Sequence, residues 1–197
     1  MDRFFKNLNG LKFIQIGAND GVYQDPVRKY IKHYGWKGVL VEPQKDVFQK
    51  LIEGHKGKKH FANIRFENSA ISTERGKTNF YIPKRKDRGN IGSLALMDKK
   101  LTIANDRGLV DEITVNCITF DDLLDKYSIE DIDVLVVDAE GFDDKIIMSV
   151  DFNRIKPKVI KYEHRIIKTP VFVADFLHDN GYEVFVEDKL DAIAIRK

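Results

Sequence analysis

The 197-residue sequence predicts a doubly wound α/β domain whose sheet is mostly parallel and finishes in an antiparallel hairpin. Three observations carry that prediction. Apolar, strand-like runs alternate with helix-period segments along the chain, the pattern of repeated β-α-β units. Asp133-Val134-Leu135-Val136-Val137-Asp138 is apolar between two acids, as a central strand covered on both faces would be. The last two short runs, Glu183–Val186 and Ala192–Ile195, flank a turn near Asp188-Lys189 and therefore fold back on each other.

The remaining elements follow in order. Lys12–Ile16 is a buried strand stopped by Gly17. Asp25 offers an N-cap and Pro26 a first helical residue, with Val27, Tyr30, Ile31 and Tyr34 on one face and Gly35 as the stop. Gly38–Val41 is the next strand, ending at Glu42-Pro43, where proline has no N–H for a ladder. A helix follows with Val47, Phe48, Leu51 and Ile52 inward and Gly54 as its end. Residues 65–71 and 77–82 read as strands. Residues 83–111 lose all periodicity and read as a flexible insertion or lid. Strand character returns over Glu112–Ile118, then a short helix near Asp121–Tyr127, a helix from Phe142, a strand over Val159–Glu163, and a helix from Thr169-Pro170 to Asn180-Gly181. One domain of 1–197 accounts for all of it.

Composition excludes several classes. Thirty-three Lys+Arg against 31 Asp+Glu give a net charge of +2, too balanced for a dedicated nucleic-acid binder. One cysteine, Cys117, forbids an internal disulfide framework or a multi-cysteine zinc site, and it reads as inert core. The opening Met1-Asp2-Arg3-Phe4-Phe5-Lys6 lacks the apolar run of a secretory signal, and the longest apolar run is far too short to span a bilayer. A soluble, cytoplasmic protein that does not engage membranes is expected. Its oligomeric state is left open.

Chemistry concentrates where the strands end, which is where ligands bind in open α/β sheets. The first strand runs into Gly17-Ala18-Asn19-Asp20-Gly21 and the second into Glu42. The third runs into Asn68-Ser69-Ala70, the central one into Asp138-Ala139-Glu140-Gly141, and the next into Tyr162-Glu163-His164. A dinucleotide fingerprint needs glycine where Asn19 stands, and Asp20 would repel a pyrophosphate. Glu42 nonetheless stands where an acid receives ribose hydroxyls. A ribose-bearing, phosphate-free and cationic cofactor fits this set, and S-adenosylmethionine has those properties.

These residues resemble a known family. Phe13-Ile14-Gln15-Ile16-Gly17-Ala18-Asn19-Asp20-Gly21, Val41-Glu42-Pro43, Asn68-Ser69-Ala70-Ile71, Val137-Asp138-Ala139-Glu140-Gly141 and Ile160-Lys161-Tyr162-Glu163-His164 are similar, in that order, to FkbM-type methyltransferases. The resemblance covers about residues 11–186. It implies a Rossmann-like, class I methyltransferase fold and S-adenosylmethionine-dependent methylation, typically of a hydroxyl on a sugar or other small metabolite. It further implies that Gly17, Ala18 and Gly21 shape the turn under the methionine part, with Asn19 or Asp20 near its ammonium. Glu42 would hold the ribose, Asn68, Ser69 and Ala70 would border the adenine, and Asp138 and Glu140 would face the methyl and acceptor. Ser93 and Glu163 would contact the acceptor. The family commonly has a lysine where this chain has Val136, which puts the acceptor class in question.

A hydroxyl acceptor must lose a proton, and Glu140, His164 and Asp138, in that order, are the candidate bases. Each site residue also has a plain structural reading. Gly, Asn and Asp are ordinary turn residues, Asn68 and Ser69 can end a strand, and Asp138 and Glu140 suit a helix N-terminus. His33, His55, His60 and His178 read as surface. No metal is expected, because ligand spacing is missing. Lys84-Arg85-Lys86-Asp87-Arg88 reads as a solvated loop or an anion-attracting lid. Two rival functions remain: a methyltransferase-like cofactor-binding module without catalysis, and a nicotinamide-dependent reductase. The partner expected is a small-molecule or glycan acceptor, with nucleic acid ranked below it.

Overall fold

The computed structural model describes residues 4–83 and 110–197. Ser93, the basic run 84–88 and nearly all of the segment read as a lid lie outside the described residues. The elements are β1 (Lys12–Ile16), α1 (Arg28–Tyr34), β2 (Lys37–Val41), α2 (Lys45–His55), β3 (Ile64–Glu67), β4 (Ala70–Ile71), β5 (Gly76–Pro83) and β6 (Val110–Ile118). They continue with α3 (Phe120–Tyr127), β7 (Val134–Val137), α4 (Asp143–Met148), β8 (Val159–Glu163), α5 (Pro170–Asp179), β9 (Tyr182–Val186) and β10 (Asp191–Arg196).

A seven-stranded sheet runs in the order β3-β2-β1-β7-β8-β10-β9. Its first five members are parallel, and β10 runs antiparallel to both β8 and β9. The chain steps from β1 to β2 on one side and later returns to β7 on the other. The order therefore reverses at β1, and the crevice of such a fold opens beyond the carboxyl ends of β1 and β7.

Side chains on successive strand residues point to opposite faces, and both faces are covered. Phe13, Leu40, Val134 and Val136 pack under α1 and α2 with Tyr30, Ile31 and Leu51. Ile14, Val39, Val41, Leu135 and Val137 pack against α3, α4 and α5 through Leu123, Ile147 and Leu177. Trp36 is fully buried, stacked on Tyr30 with ring centroids 4.3 Å apart, and its Nε1–H donates to the Leu8 carbonyl at 2.7 Å. Cys117 is buried, as expected of core, and burial pushes its thiol pKa up.

Four local readings are corrected. The run 65–71 is not one strand: it breaks at Asn68-Ser69, and Ala70-Ile71 leaves to pair with Cys117-Ile118 in a separate three-stranded sheet, β4-β6-β5. The Asn68 side-chain amide causes the break by donating to the Glu42 and Pro43 carbonyls at 2.8 and 3.1 Å. α1 begins at Arg28 rather than Pro26, because the Asp25 Oδ1 accepts from both Val27 N–H and Arg28 N–H and closes a turn first. α2 continues one residue past Gly54 to His55. His55 is not on the surface; it is 3% exposed. α3 is held by a reciprocal cap: Asp122 N–H donates to Thr119 Oγ1, and Thr119 N–H to the Asp122 carboxylate.

Candidate functional site

The strand ends are laced together. Gly17 N–H and Ala18 N–H donate to the Val41 carbonyl at 3.0 and 2.9 Å, and Asp138 N–H donates to the Ile16 carbonyl at 3.0 Å. Gly17 has φ of 78°, and a Cβ there would stand 1.8 Å from the Asp138 carbonyl oxygen. Only glycine lets β1 and β7 close on each other at this point. Asn19 also adopts a left-handed φ of 49°, which Asn tolerates better than most residues. Its side chain accepts from Asp20 N–H, while Asp20 Oδ1 accepts from Val22 and Tyr23 N–H. Asp20 is thereby occupied in shaping the turn.

Glu42 is the pivot. It is 4% exposed, yet one carboxylate oxygen accepts from Asn19 N–H at 3.0 Å and the other from Gln44 N–H at 2.9 Å. Burial pushes its pKa up to about 7; those two N–H groups pull the other way, and the Asp138 charge adds to the rise. Each oxygen keeps a lone pair for a further donor. Beyond β3, Ser69 donates to the buried Glu67 carboxylate at 2.7 Å. Burial alone would raise the Glu67 pKa, but Lys126, Ser69 and Tyr127 together hold it below the usual range.

Acids crowd the ends of β7 and β8. Asp138 meets solvent in the open crevice, but the protein around it pushes its pKa up to about 6, with Asp191 adding to the shift and Lys161 opposing it. Glu140 is raised to about 8, first by burial and then by the charges of Asp138, Glu163 and Asp143. Glu140 and Gly141 both have positive φ, 51° and 92°. That tight loop is held by Asp143, which is fully buried and accepts from Ala139, Gly141 and Glu163 N–H at 3.1, 3.3 and 3.3 Å. Burial raises Asp143 and Glu163 to about 7 each, and for both the Asp138 charge adds to it.

Gly17, Asn19, Glu42, Ser69, Ala70, Asp138 and Glu140, singled out from sequence, line one crevice. The hollow is partly open to solvent on one side. Its apolar walls include Val41, Pro43, Ile71, Phe80 and Ile146. Its described lining carries three carboxylates and no Lys or Arg. Ala18, Asp20 and Gly21 lie in the same turn but do not line the space, and Asn68 is spent tying β2 to β3. Glu163 does not line it either, although its charge reaches Glu140. His164 goes elsewhere: its Nε2 stands 3.2 Å from the Asp188 carbonyl, and its N–H donates to that of Leu190.

The sequence reading missed Asp143, Gln44 and Phe80. An acid three residues past Glu140 at a helix start was the available signal for Asp143. Phe80 had none, because it arrives from the second sheet. Val136 is 1% exposed and faces the α1–α2 layer, away from the crevice. It pairs in register with Lys161 on β8, whose charge reaches Asp138. A cation thus stands one strand over on the same row.

A crevice of this composition at the switch point of a 3-2-1-7-8-10-9 sheet defines a class I methyltransferase-like protein. The chain belongs to the FkbM methyltransferase domain family, whose pattern matches residues 15–184. Among solved structures it is similar to the methyltransferase FkbM of Methylobacillus flagellatus KT, with TM-score 0.58, 11% identity, 94% of this chain and 43% of that one covered. It is also similar to the METTL16 methyltransferase domain (TM-score 0.55, 11% identity, 97% and 61% covered). A third is the precorrin-6y C5,15-methyltransferase of Geobacter metallireducens GS-15 (TM-score 0.54, 13% identity, 98% and 84% covered). No curated protein matches the sequence. Family and fold imply S-adenosylmethionine as methyl donor. Among the described residues no helix is long and apolar enough to cross a membrane.

Proposed function

We propose that this chain acts as one methyltransferase domain that binds S-adenosylmethionine in the crevice and methylates a hydroxyl oxygen of a sugar or other small metabolite. The donor set fits that cofactor. Glu42 offers a free lone pair on each oxygen for the ribose hydroxyls. Pro43, Ile71 and Phe80 supply apolar walls for a base, with Ser69 and Ala70 at its edge. Asp138, with a pKa of about 6, is ionised at neutral pH and favours the positive charge of the ligand. When bound, the cofactor supplies an electrophilic methyl group. The protein's share is positioning, which accounts for much of the rate in a displacement between two bound partners.

A hydroxyl acceptor loses a proton as its oxygen attacks, and Glu140 is the favoured base. It lines the crevice, and a pKa of about 8 makes its carboxylate more basic than an ordinary one. Asp138, at about 6, is the second candidate. His164, turned to the hairpin, falls behind both.

The observation carrying this reading is the convergence of Gly17, Glu42, Asp138 and Glu140 on one hollow with no cation among its described lining residues. The same observation weighs against the nicotinamide reductase, whose cofactor would set a pyrophosphate among carboxylates. Isothermal titration with S-adenosylmethionine and, in parallel, with NADH separates the two. Micromolar binding of the first alone is expected; binding of NADH alone overturns the proposal. Binding of S-adenosylmethionine without methyl transfer to any hydroxyl acceptor returns the reading to a non-catalytic binding module.

A further inference from the structure

The crevice turn Gly17–Gly21 is anchored at its far end by two residues outside the crevice. The Gly21 carbonyl accepts from Arg28 Nη1 at 2.5 Å, and the same Nη1 stands 3.4 Å from His55 Nε2. His55 is 3% exposed, with its Nδ1 2.6 Å from the Leu51 carbonyl one helical turn earlier. A carbonyl only accepts, so Nδ1 must carry the ring hydrogen. Nε2 is then a lone pair, and it faces the guanidinium as an acceptor. The ring is wedged edge-on against Phe61 and Phe66, with centroids 4.2 and 5.7 Å away, and the Arg28 guanidinium lies 5.4 Å from the Phe61 ring centroid. The fit to the turn is close: a Cβ on Gly21 would stand 2.4 Å from His55 Cε1.

We propose that His55 and Arg28 form a positioning strut in which the neutral imidazole aims the Arg28 guanidinium at the Gly21 carbonyl, fixing the turn that borders the methyl-donor crevice. The inference rests on the cofactor reading for its functional consequence, but not for the strut itself. Neither residue lines the crevice, so both act on it through the turn. The groups that face His55 are Arg28 from α1, Lys58 beyond α2 and Asp20 from the turn. Protonating His55 would replace its acceptor with a second N–H aimed at Arg28, setting two cations against each other. Burial first, with Arg28 and Lys58 adding to it and the Leu51 carbonyl and Asp20 opposing, lowers the His55 pKa and favours the neutral ring.

Three variants test the strut. His55→Leu keeps apolar packing and removes the acceptor. Arg28→Met removes the donor. His55→Gln offers an amide oxygen that can face Arg28 but cannot titrate. Amide hydrogen exchange at Gly21, Val22 and Tyr23 in the cofactor-free protein should quicken about tenfold in the first two and stay near wild type in the third. S-adenosylmethionine titrated at pH 8 should bind about tenfold more weakly to His55→Leu and to Arg28→Met, with the double variant no weaker than either single one. Nitrogen-15 shifts of the wild-type imidazole should report hydrogen on Nδ1 at pH 7.5. Unchanged exchange in both single variants, or hydrogen on Nε2, overturns the strut. Additive losses in the double variant also overturn it, because two residues acting through one contact cannot lose it twice. If wild-type protein binds no S-adenosylmethionine, the cofactor reading fails while exchange and nitrogen shifts still decide the strut.

Discussion

Replacing Glu42 with alanine should cost far more in cofactor affinity than in stability at pH 8, and the structure fixes why. Raising its carboxyl from 4.5 to about 7 is equivalent to about 3 kcal/mol against the ionised form. Because the folded pKa lies above the unfolded one, the neutral carboxyl's stabilisation of the fold is fully present below pH 4.5 and is lost progressively as the pH rises through 4.5 to about 7. At pH 8 the variant escapes this penalty of about 3 kcal/mol. In exchange it strands Asn19 N–H and Gln44 N–H, at about 1–2 kcal/mol each when no water replaces the carboxylate. The two effects nearly cancel, so Tm should move by only a few degrees in a chain of this size. At pH 5.5 only about 1.4 kcal/mol of that relief remains, so the variant should be less stable than wild type.

Affinity has no such compensation. Two ribose hydroxyls donating to one carboxylate are worth about 3 kcal/mol, or roughly a hundredfold in Kd. Differential scanning calorimetry and cofactor titration at pH 8 and 5.5 give both quantities. A Kd within threefold of wild type at pH 8 would remove Glu42 from the ribose. A Tm loss beyond about 10 °C at pH 8 would show that the carboxylate is mainly a structural bracket.

Other outcomes follow from the same geometry. Gly17→Ala places a methyl 1.8 Å from the Asp138 carbonyl at φ of 78°; strain and overpacking together should cost about 2–5 kcal/mol, read as a Tm drop of roughly 5–15 °C, and an unchanged melt refutes the close approach. Glu140→Gln should lower kcat by about 100-fold or more while leaving the cofactor Kd within threefold, and wild-type kcat should rise with pH towards about 8 as Glu140 loses its proton; a flat pH profile in steady-state assays removes it as the base. Asp143→Leu strands the N–H groups of Ala139, Gly141 and Glu163 and should destabilise by about 2–4 kcal/mol. Asp143→Asn keeps an acceptor and escapes ionisation of a group raised to about 7, so it should stay within about 1 kcal/mol of wild type at pH 8, checked by urea unfolding.

What the sequence disclosed is what local pattern determines. Val134–Val137 is apolar throughout because both sheet faces are covered, and no other element explains that run. Pro43 and Gly17 mark the strand ends, so the crevice could be placed before any coordinates. The separate β4-β6-β5 sheet was hidden for the opposite reason. Nothing in Arg65–Ile71 alone says that the strand must break, since the break is made by an amide on Asn68 reaching carbonyls about 25 residues earlier in the chain.

The site was legible to the same depth and no further. A carboxylate at a strand end announces itself, but its partners do not. Asp143 resembled any acid in a first helical turn, and its work of holding the Glu140 loop appears only when Ala139, Gly141 and Glu163 N–H converge on it. His55 reads as surface in sequence because it has no paired spacing with another ligand; its burial depends on Phe61, Phe66 and Gly21 arriving from three directions. Val136 is the sharpest case. In sequence its missing lysine pointed at the acceptor, yet the strand's alternation turns position 136 into the layer under α1 and α2. A change there acts on the core and on the row it shares with Lys161, whose charge reaches Asp138.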